Sequence, residues 1–192
     1  MENAAKSGKR NIFVSSAKEL GTLHTVVFCG LMGGLSIILT MVASIKMGPY
    51  INIGFSWIPN RIVDFMFGPI VGMIYGGAMD IVKWMAKPDG DFMIIYTFVP
   101  MLTGIIVGTL LYKKPVSLVR IIIVQIIIKI FINAGLNTYL MSVTGGKAFM
   151  ELLPLRLLKN VIMIPIDSMI LFVVLTTVAG ILPKLGLYKR EP

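Results

Sequence analysis

Apolar residues run along this chain in stretches that have neither the two-residue alternation of a strand nor the narrow stripe of a surface helix. They are apolar all round, as expected of helices buried in lipid. A span needs about 20 apolar residues at 1.5 Å rise each. The pattern predicts six spans, at about 22–44, 58–67, 70–86, 93–112, 116–141 and 152–182, of which 58–67 is apolar but short. Residues 1–20 are polar and basic and read as a cytoplasmic tail ending in an interfacial helix. KMGPYINIGFSW (46–57) reads as a loop with an interfacial aromatic belt, Gly68-Pro69 as punctuation and KPDGD (87–91) as a turn. Pro100 and Pro165 fall inside spans, where they bend helices.

The polar residues inside the apolar stretches carry the functional signal. Gln125, Lys129, Asn133 and Asn137 recur every four residues, so on a helix they form one slowly drifting stripe. Arg156, Lys159 and Asn160 fall at i, i+3 and i+4 and share a face of the last span. Charges at membrane depth are costly, and a substrate or ion site facing the bundle interior is their usual explanation. The competing explanation is interhelical hydrogen bonding with snorkelling Lys and Arg. Arg61 and Asp64 stand at i, i+3, and Asp80 and Lys83 are placed to pair. Gly30 and Gly34 form a small-xxx-small pair, which suits close approach of another helix of this chain or of a partner.

Composition agrees with the pattern. Of 192 residues, 56% are hydrophobic and 14% charged, against roughly 25% charged in soluble domains, so the chain reads as a single all-α integral membrane domain, 1–192. The net charge of +9 would suit nucleic acid, but the basic residues cluster at the ends of apolar stretches instead. Nine of the eighteen lie in the two tails and the 113–115 turn. By the positive-inside rule both termini are then cytoplasmic and the 46–57, 87–92 and 142–150 loops external. No signal peptide is expected, because the first apolar run begins after about twenty polar residues with no small-residue cleavage site.

Several chemistries drop out. Gly145-Gly146-Lys147-Ala148 lacks the first glycine and the hydroxyl residue of a P-loop. His24 is the lone histidine and Cys29 the lone cysteine, so H-E-x-x-H, a cysteine zinc cluster and an internal disulfide are excluded. The carboxylates are scattered over different spans, which argues against a lipid-modifying enzyme. A stand-alone secondary transporter would show an inverted repeat of discontinuous helices, and none is visible.

Asn137-Thr138-Tyr139-Leu140, Gly146-Lys147-Ala148-Phe149, Leu153-Pro154, Arg156-Leu157-Leu158-Lys159-Asn160 and Pro165-Ile166 together resemble the fifth-to-sixth helix signature of folate-specific S components. These are the substrate-binding subunits of energy-coupling factor (ECF) vitamin transporters. Phe67-Gly68-Pro69-Ile70-Val71-Gly72 with Asp80 resembles the second-to-third helix turn shared by several vitamin S components. The resemblance implies a six-helix, multi-pass protein of a bacterial plasma membrane that is not an enzyme and needs no cofactor. It also implies a vitamin bound from outside and delivery through a transmembrane coupling subunit and two ATP-binding subunits. The family's first helix meets the coupling subunit through small residues, and Gly30 and Gly34 occupy those positions. Riboflavin or pantothenate are the other vitamins to consider.

A folate-type ligand makes three demands. Its glutamate is a dianion that suits Arg156, Lys159, Lys46 and Arg61. Its rings suit Tyr50, Trp57, Trp84 and Tyr96, although each aromatic equally suits a membrane belt. Its pterin edge needs paired donors and acceptors, for which Asn133, Asn137, Asp80 and Asn160 are candidates.

Overall fold

The computed structural model describes residues 12–47, 51–88, 92–145 and 149–181. A short helix α1 (12–20) precedes α2 (Leu23–Val42), which starts under the side-chain cap of Thr22. A two-stranded antiparallel hairpin follows, β1 (Ser44–Met47) and β2 (Ile51–Gly54). Then come α3 (Trp57–Ala86), a 3-10 turn (Ile94–Thr97), α4 (Phe98–Leu111) and α5 (Leu118–Ile126). α5 passes without a break into a π-helical segment (Ile127–Leu136) and α6 (Asn137–Gly145), and α7 (Phe149–Ile181) closes the described chain.

Among the described residues, five helices are long and apolar enough to cross a membrane: Leu23–Val42, Trp57–Ala86, Ile94–Leu111, Leu118–Thr144 and Leu153–Ile181. The sequence pattern predicted six. The difference lies at 58–67 and 70–86, which form the single bent helix α3 instead of two separate spans. The first arm holds about 11 residues, or ~16 Å, too short to cross ~30 Å of hydrocarbon alone. The 46–57 stretch also departs from expectation. Its Ile-x-Ile alternation pairs as a hairpin, with Ile45 opposite Ile53 and Lys46 opposite Asn52, and α3 starts at Trp57. At the other end of the fifth span, α6 continues to Gly145, through four residues that read as loop.

The bend in α3 has an identifiable cause. Gly68 sits at φ 85, ψ −168, a conformation open to glycine and costly for any residue with a Cβ. Pro69 then starts the second arm, where a missing N–H costs nothing. The next two amides, of Ile70 and Val71, donate to Ser16 Oγ at 3.0 and 3.2 Å, and the same hydroxyl donates to the Phe67 carbonyl at 2.6 Å. A residue of α1, more than fifty positions away, therefore caps the second arm and satisfies groups that a helix start leaves orphaned. The predicted interfacial tail helix is thus tied into the protein core. The bend folds the arms together: Asp64 Oδ1 occupies the space a Cβ on Gly72 would need, whereas eight residues of straight helix would separate them by ~12 Å.

The second arm of α3 lies against α4 at backbone contact. A Cβ on Gly76 would meet the Pro100 carbonyl, one on Gly104 the Gly72 backbone, and one on Gly108 the Gly68–Pro69 backbone. These glycines recur four apart on both helices, so their bare faces lie against each other, the small-xxx-small geometry of close membrane helices. Around this seam sits the core, with Val63, Val71, Val107, Ile121, Val124, Leu171 and Leu175 fully buried. α3 is central and mostly buried, and α2 is peripheral and mostly exposed.

Candidate functional site

The helices leave a cavity of about 400 Å³ between α3, α4, the π-helical segment and α7. Five basic residues line it, Arg61, Lys83, Lys129, Arg156 and Lys159, against three acidic ones, Asp64, Asp80 and Asp167. Such a volume suits a drug-sized organic ligand. An excess of two positive charges inside a membrane-embedded cavity is stable only with compensating anions.

The polar stripe reaches this cavity because of the π-helix. In an uninterrupted α-helix, residues four apart drift 40° per step, so Asn137 would point about 120° away from Gln125. A π-helix has about 4.4 residues per turn, and the same four-residue step then drifts the other way. Switching from α to π over Ile127–Leu136 roughly halves the spread, and Gln125, Lys129, Asn133 and Asn137 all line the cavity. The Thr138 hydroxyl donates to the Asn133 carbonyl, five residues back, at 3.3 Å.

On α7, Arg156, Lys159 and Asn160 face the same cavity, with Asn160 at 6% exposure. Arg156 and Lys159 are half-buried, and Nε of Arg156 is buried without a hydrogen-bond partner. From the first arm of α3 come Trp57 and Arg61, and from its second arm Asp80. Arg61 Nη1 donates to Asp64 Oδ2 at 2.9 Å, so this guanidinium already serves a buried carboxylate. Asp80 and Lys83 are held by other groups: Asp80 Oδ2 accepts from Thr97 Oγ1 at 2.9 Å, and Lys83 Nζ donates to the Ser56 carbonyl at 3.1 Å. The Ser56 carbonyl also accepts from Ser36 at 2.7 Å, tying α2 to the start of α3 beside the cavity.

Eight of the predicted binding residues therefore converge: Trp57, Arg61, Asp80, Asn133, Asn137, Arg156, Lys159 and Asn160. Trp84 and Tyr96 are not among the lining residues. Trp84 stacks near Phe92, ring centroids 5.2 Å apart, at the end of α3. Tyr96 packs on the Val99, Ile132 and Leu140 cluster and shares a 2.7 Å hydrogen bond with Thr144 Oγ1, joining the 3-10 turn to α6. Tyr50 and the side chain of Lys46 lie outside the described residues.

Sequence reasoning put Gln125 and Lys129 on the polar stripe without naming them as ligand contacts, read Lys83 only as a partner for Asp80, and did not single out Asp167; all four line the cavity. Asp167 falls seven residues after Asn160 and eleven after Arg156, on the same helix face, and that spacing was the signal that could have found it. It stands on α7 beyond Pro165 and meets Lys129 in an ion pair that links α7 to the π-helical segment. Gly30 and Gly34 lie elsewhere, on α2. A Cβ added to either meets nothing within 4 Å, whereas Gly33 between them faces Met79.

A bundle of apolar helices around a polar, cationic, ligand-sized cavity defines a membrane protein that binds a small solute. The chain belongs to the family of substrate-specific components of ECF transporters: the family model "ECF transporter, substrate-specific component" matches residues 24–175. It is a multi-pass membrane protein of a transport system, not an enzyme. Among curated proteins it is similar to the folate transporter FolT of Clostridium novyi (strain NT), 31% identical over 150 residues, which cover 78% of this chain and 87% of that one. A crystal structure of FolT bound with folic acid superposes with a TM-score of 0.70 at 24% identity, over 78% of this chain and 90% of that chain. The superposition establishes the shared fold.

Proposed function

We propose that this chain is the folate-binding S component of an ECF importer, capturing folate or a reduced folate from outside. The observation that carries the reading is the cavity's excess of two cations, with Arg156 and Lys159 one helical turn apart. A glutamate dianion offsets that charge, and charge-assisted hydrogen bonds to buried cations are the stronger kind. Trp57 supplies an aromatic wall, and Asn133, Asn137 and Asn160 supply donors and acceptors for a ring edge. Similarity to the folate transporter of Clostridium novyi supports folate over riboflavin or pantothenate.

Binding of a vitamin panel to the purified, detergent-solubilised chain tests the ligand. Folate should bind tightly, with riboflavin and pantothenate weaker by several orders of magnitude. Equal or tighter binding of either would overturn the assignment.

Delivery follows from the family. Both termini are cytoplasmic in this reading, and the cavity opens toward the outer face. The two arms of α3 act as the second and third of six membrane helices, the first arm entering the bilayer without crossing it. The exposed Gly30–Gly34 face of α2 takes the coupling subunit, which brings two ATP-binding subunits. Expressed alone in a folate-uptake-deficient host, the chain should give no concentrative uptake. Adding the coupling module should restore it. Robust accumulation without the module would defeat the coupling role.

A further inference from the structure

Helix α1 has two sides with opposite surroundings. Ser16 is fully buried at the bend of α3, where it accepts from the Ile70 and Val71 amides and donates to the Phe67 carbonyl. Val14 and Lys18 stand two residues to either side of it, and two steps of about 100° place each roughly 160° round the helix from Ser16. That side is open: Val14 is 51% exposed, Ala17 and Lys18 are exposed beside it, and Leu20 is exposed at the helix end. α1 can therefore meet a second surface while Ser16 stays in the core. The turn after α4 lies next to it. A Cβ on Gly68 would meet the Tyr112 ring at 2.9 Å and Ser16 Cβ at 3.1 Å, so α1 and Tyr112 close on the same bend.

The open side is cationic. Residues 6–18 hold Lys6, Lys9, Arg10 and Lys18 and no acidic side chain. The turn after Tyr112 adds Lys114 and the exposed Lys113. Clusters of about four to eight basic residues beside a membrane span or on an amphipathic helix are what anionic headgroups attract. An apolar strip on the same helix lets it sink into the boundary between headgroups and acyl chains. We infer that α1 and the 113–114 turn form a binding surface for anionic phospholipid. The basic side chains meet headgroup phosphates, and Val14 and Leu20 enter the acyl boundary. Because Ser16 on the opposite side of α1 caps the second arm of α3, bound lipid favours the docked helix and so stabilises the bend. No described residue of α1 or of the 113–114 turn lines the cavity, so this surface is separate from the ligand site and independent of the ligand's identity.

Thermal unfolding of the full-length chain in lipid nanodiscs tests the surface, with phosphatidylcholine alone compared with phosphatidylcholine plus phosphatidylglycerol. The anionic lipid should raise the melting temperature by roughly 4 °C or more, and high salt should abolish the gain. The fourfold variant Lys6→Gln/Lys9→Gln/Arg10→Gln/Lys18→Gln should melt with the unsubstituted chain in phosphatidylcholine, which shows that it folds, and should lose most of the gain. Ser16→Ala should still bind phosphatidylglycerol, as read by native mass spectrometry, but its melting temperature should respond less, because bound lipid no longer acts on the bend. Equal melting temperatures in the two bilayers, a gain that survives the fourfold substitution, or a gain reproduced by inorganic phosphate in phosphatidylcholine would overturn the lipid surface. So would the absence of a gain together with loss of coupling-subunit co-purification in the fourfold variant, which would assign the face to a protein contact. A Ser16→Ala chain that keeps the full gain would overturn the link to the bend.

Discussion

Two sets of glycines at four-residue spacing meet opposite surroundings. Gly76, Gly104 and Gly108 are closed off by the backbone of the facing helix, and Gly72 by Asp64 and the Gly104 carbonyl. Gly30 and Gly34 open onto nothing within 4 Å. The sequence motif is the same and means only that a backbone can approach closely. On the α3–α4 seam the approach has been made within the chain, and it holds the bent helix that carries Trp57, Arg61 and Asp80 to the cavity. On α2 no such approach is made by the described residues, and in the proposed reading this face takes the coupling subunit. The first set belongs to folding, and the proposed function gives the second to assembly.

That contrast breaks most violently at Gly104→Leu. The blocking atoms are backbone, which cannot swing aside, so the cost should exceed the usual 1–3 kcal/mol of overpacking. No monodisperse protein should be recovered by size-exclusion chromatography in detergent. Gly30→Leu or Gly34→Leu is expected to do the reverse. Thermal stability and folate affinity should stay near those of the unsubstituted chain, while co-purification with the coupling subunit is lost. If ligand binding collapses and co-purification survives, the α2 face is internal packing after all.

The cavity sharpens the same division, since its residues should affect binding but not assembly. Arg156→Ala should weaken folate roughly ten- to a hundredfold, the worth of one or two charge-assisted hydrogen bonds. Lys159→Ala should do somewhat less. Pteroate, which lacks the glutamate, should bind Arg156→Ala about as well as it binds the unsubstituted chain. Equal losses for folate and pteroate would remove the carboxylate role. The smallest effect is expected at the bend. Ser16→Ala deletes the remote cap of the second arm, worth ~1 kcal/mol, or roughly 2–4 °C in melting temperature for a chain of this size. A stability unchanged by Ser16→Ala would mean that Gly68 and the α4 seam hold the bend unaided.

Sequence spacing reached far into this protein because the bilayer constrains it. With no water to satisfy backbone groups, apolar stretches of sufficient length become helices, and polar residues within them must face one another or a cavity. Arg156, Lys159 and Asn160 at i, i+3 and i+4 could therefore be assigned to one surface from their positions alone, as could the Gln125-to-Asn137 stripe. What spacing could not express was any feature depending on a partner remote in sequence. The bend between 58–67 and 70–86 is capped by Ser16, more than fifty positions away. The alignment of the stripe depends on a π-helical register that four-residue spacing does not reveal. The relevance of Asp167 depends on Lys129 of another helix, and the aromatic candidates Trp84 and Tyr96 were drawn away by Phe92 and Thr144. Local periodicity determines which face of a helix is polar. Which faces meet, and which glycines are left bare, is decided by packing among helices, where contacts between residues far apart in sequence, such as Lys129 with Asp167 and Ser16 with Phe67, set the geometry.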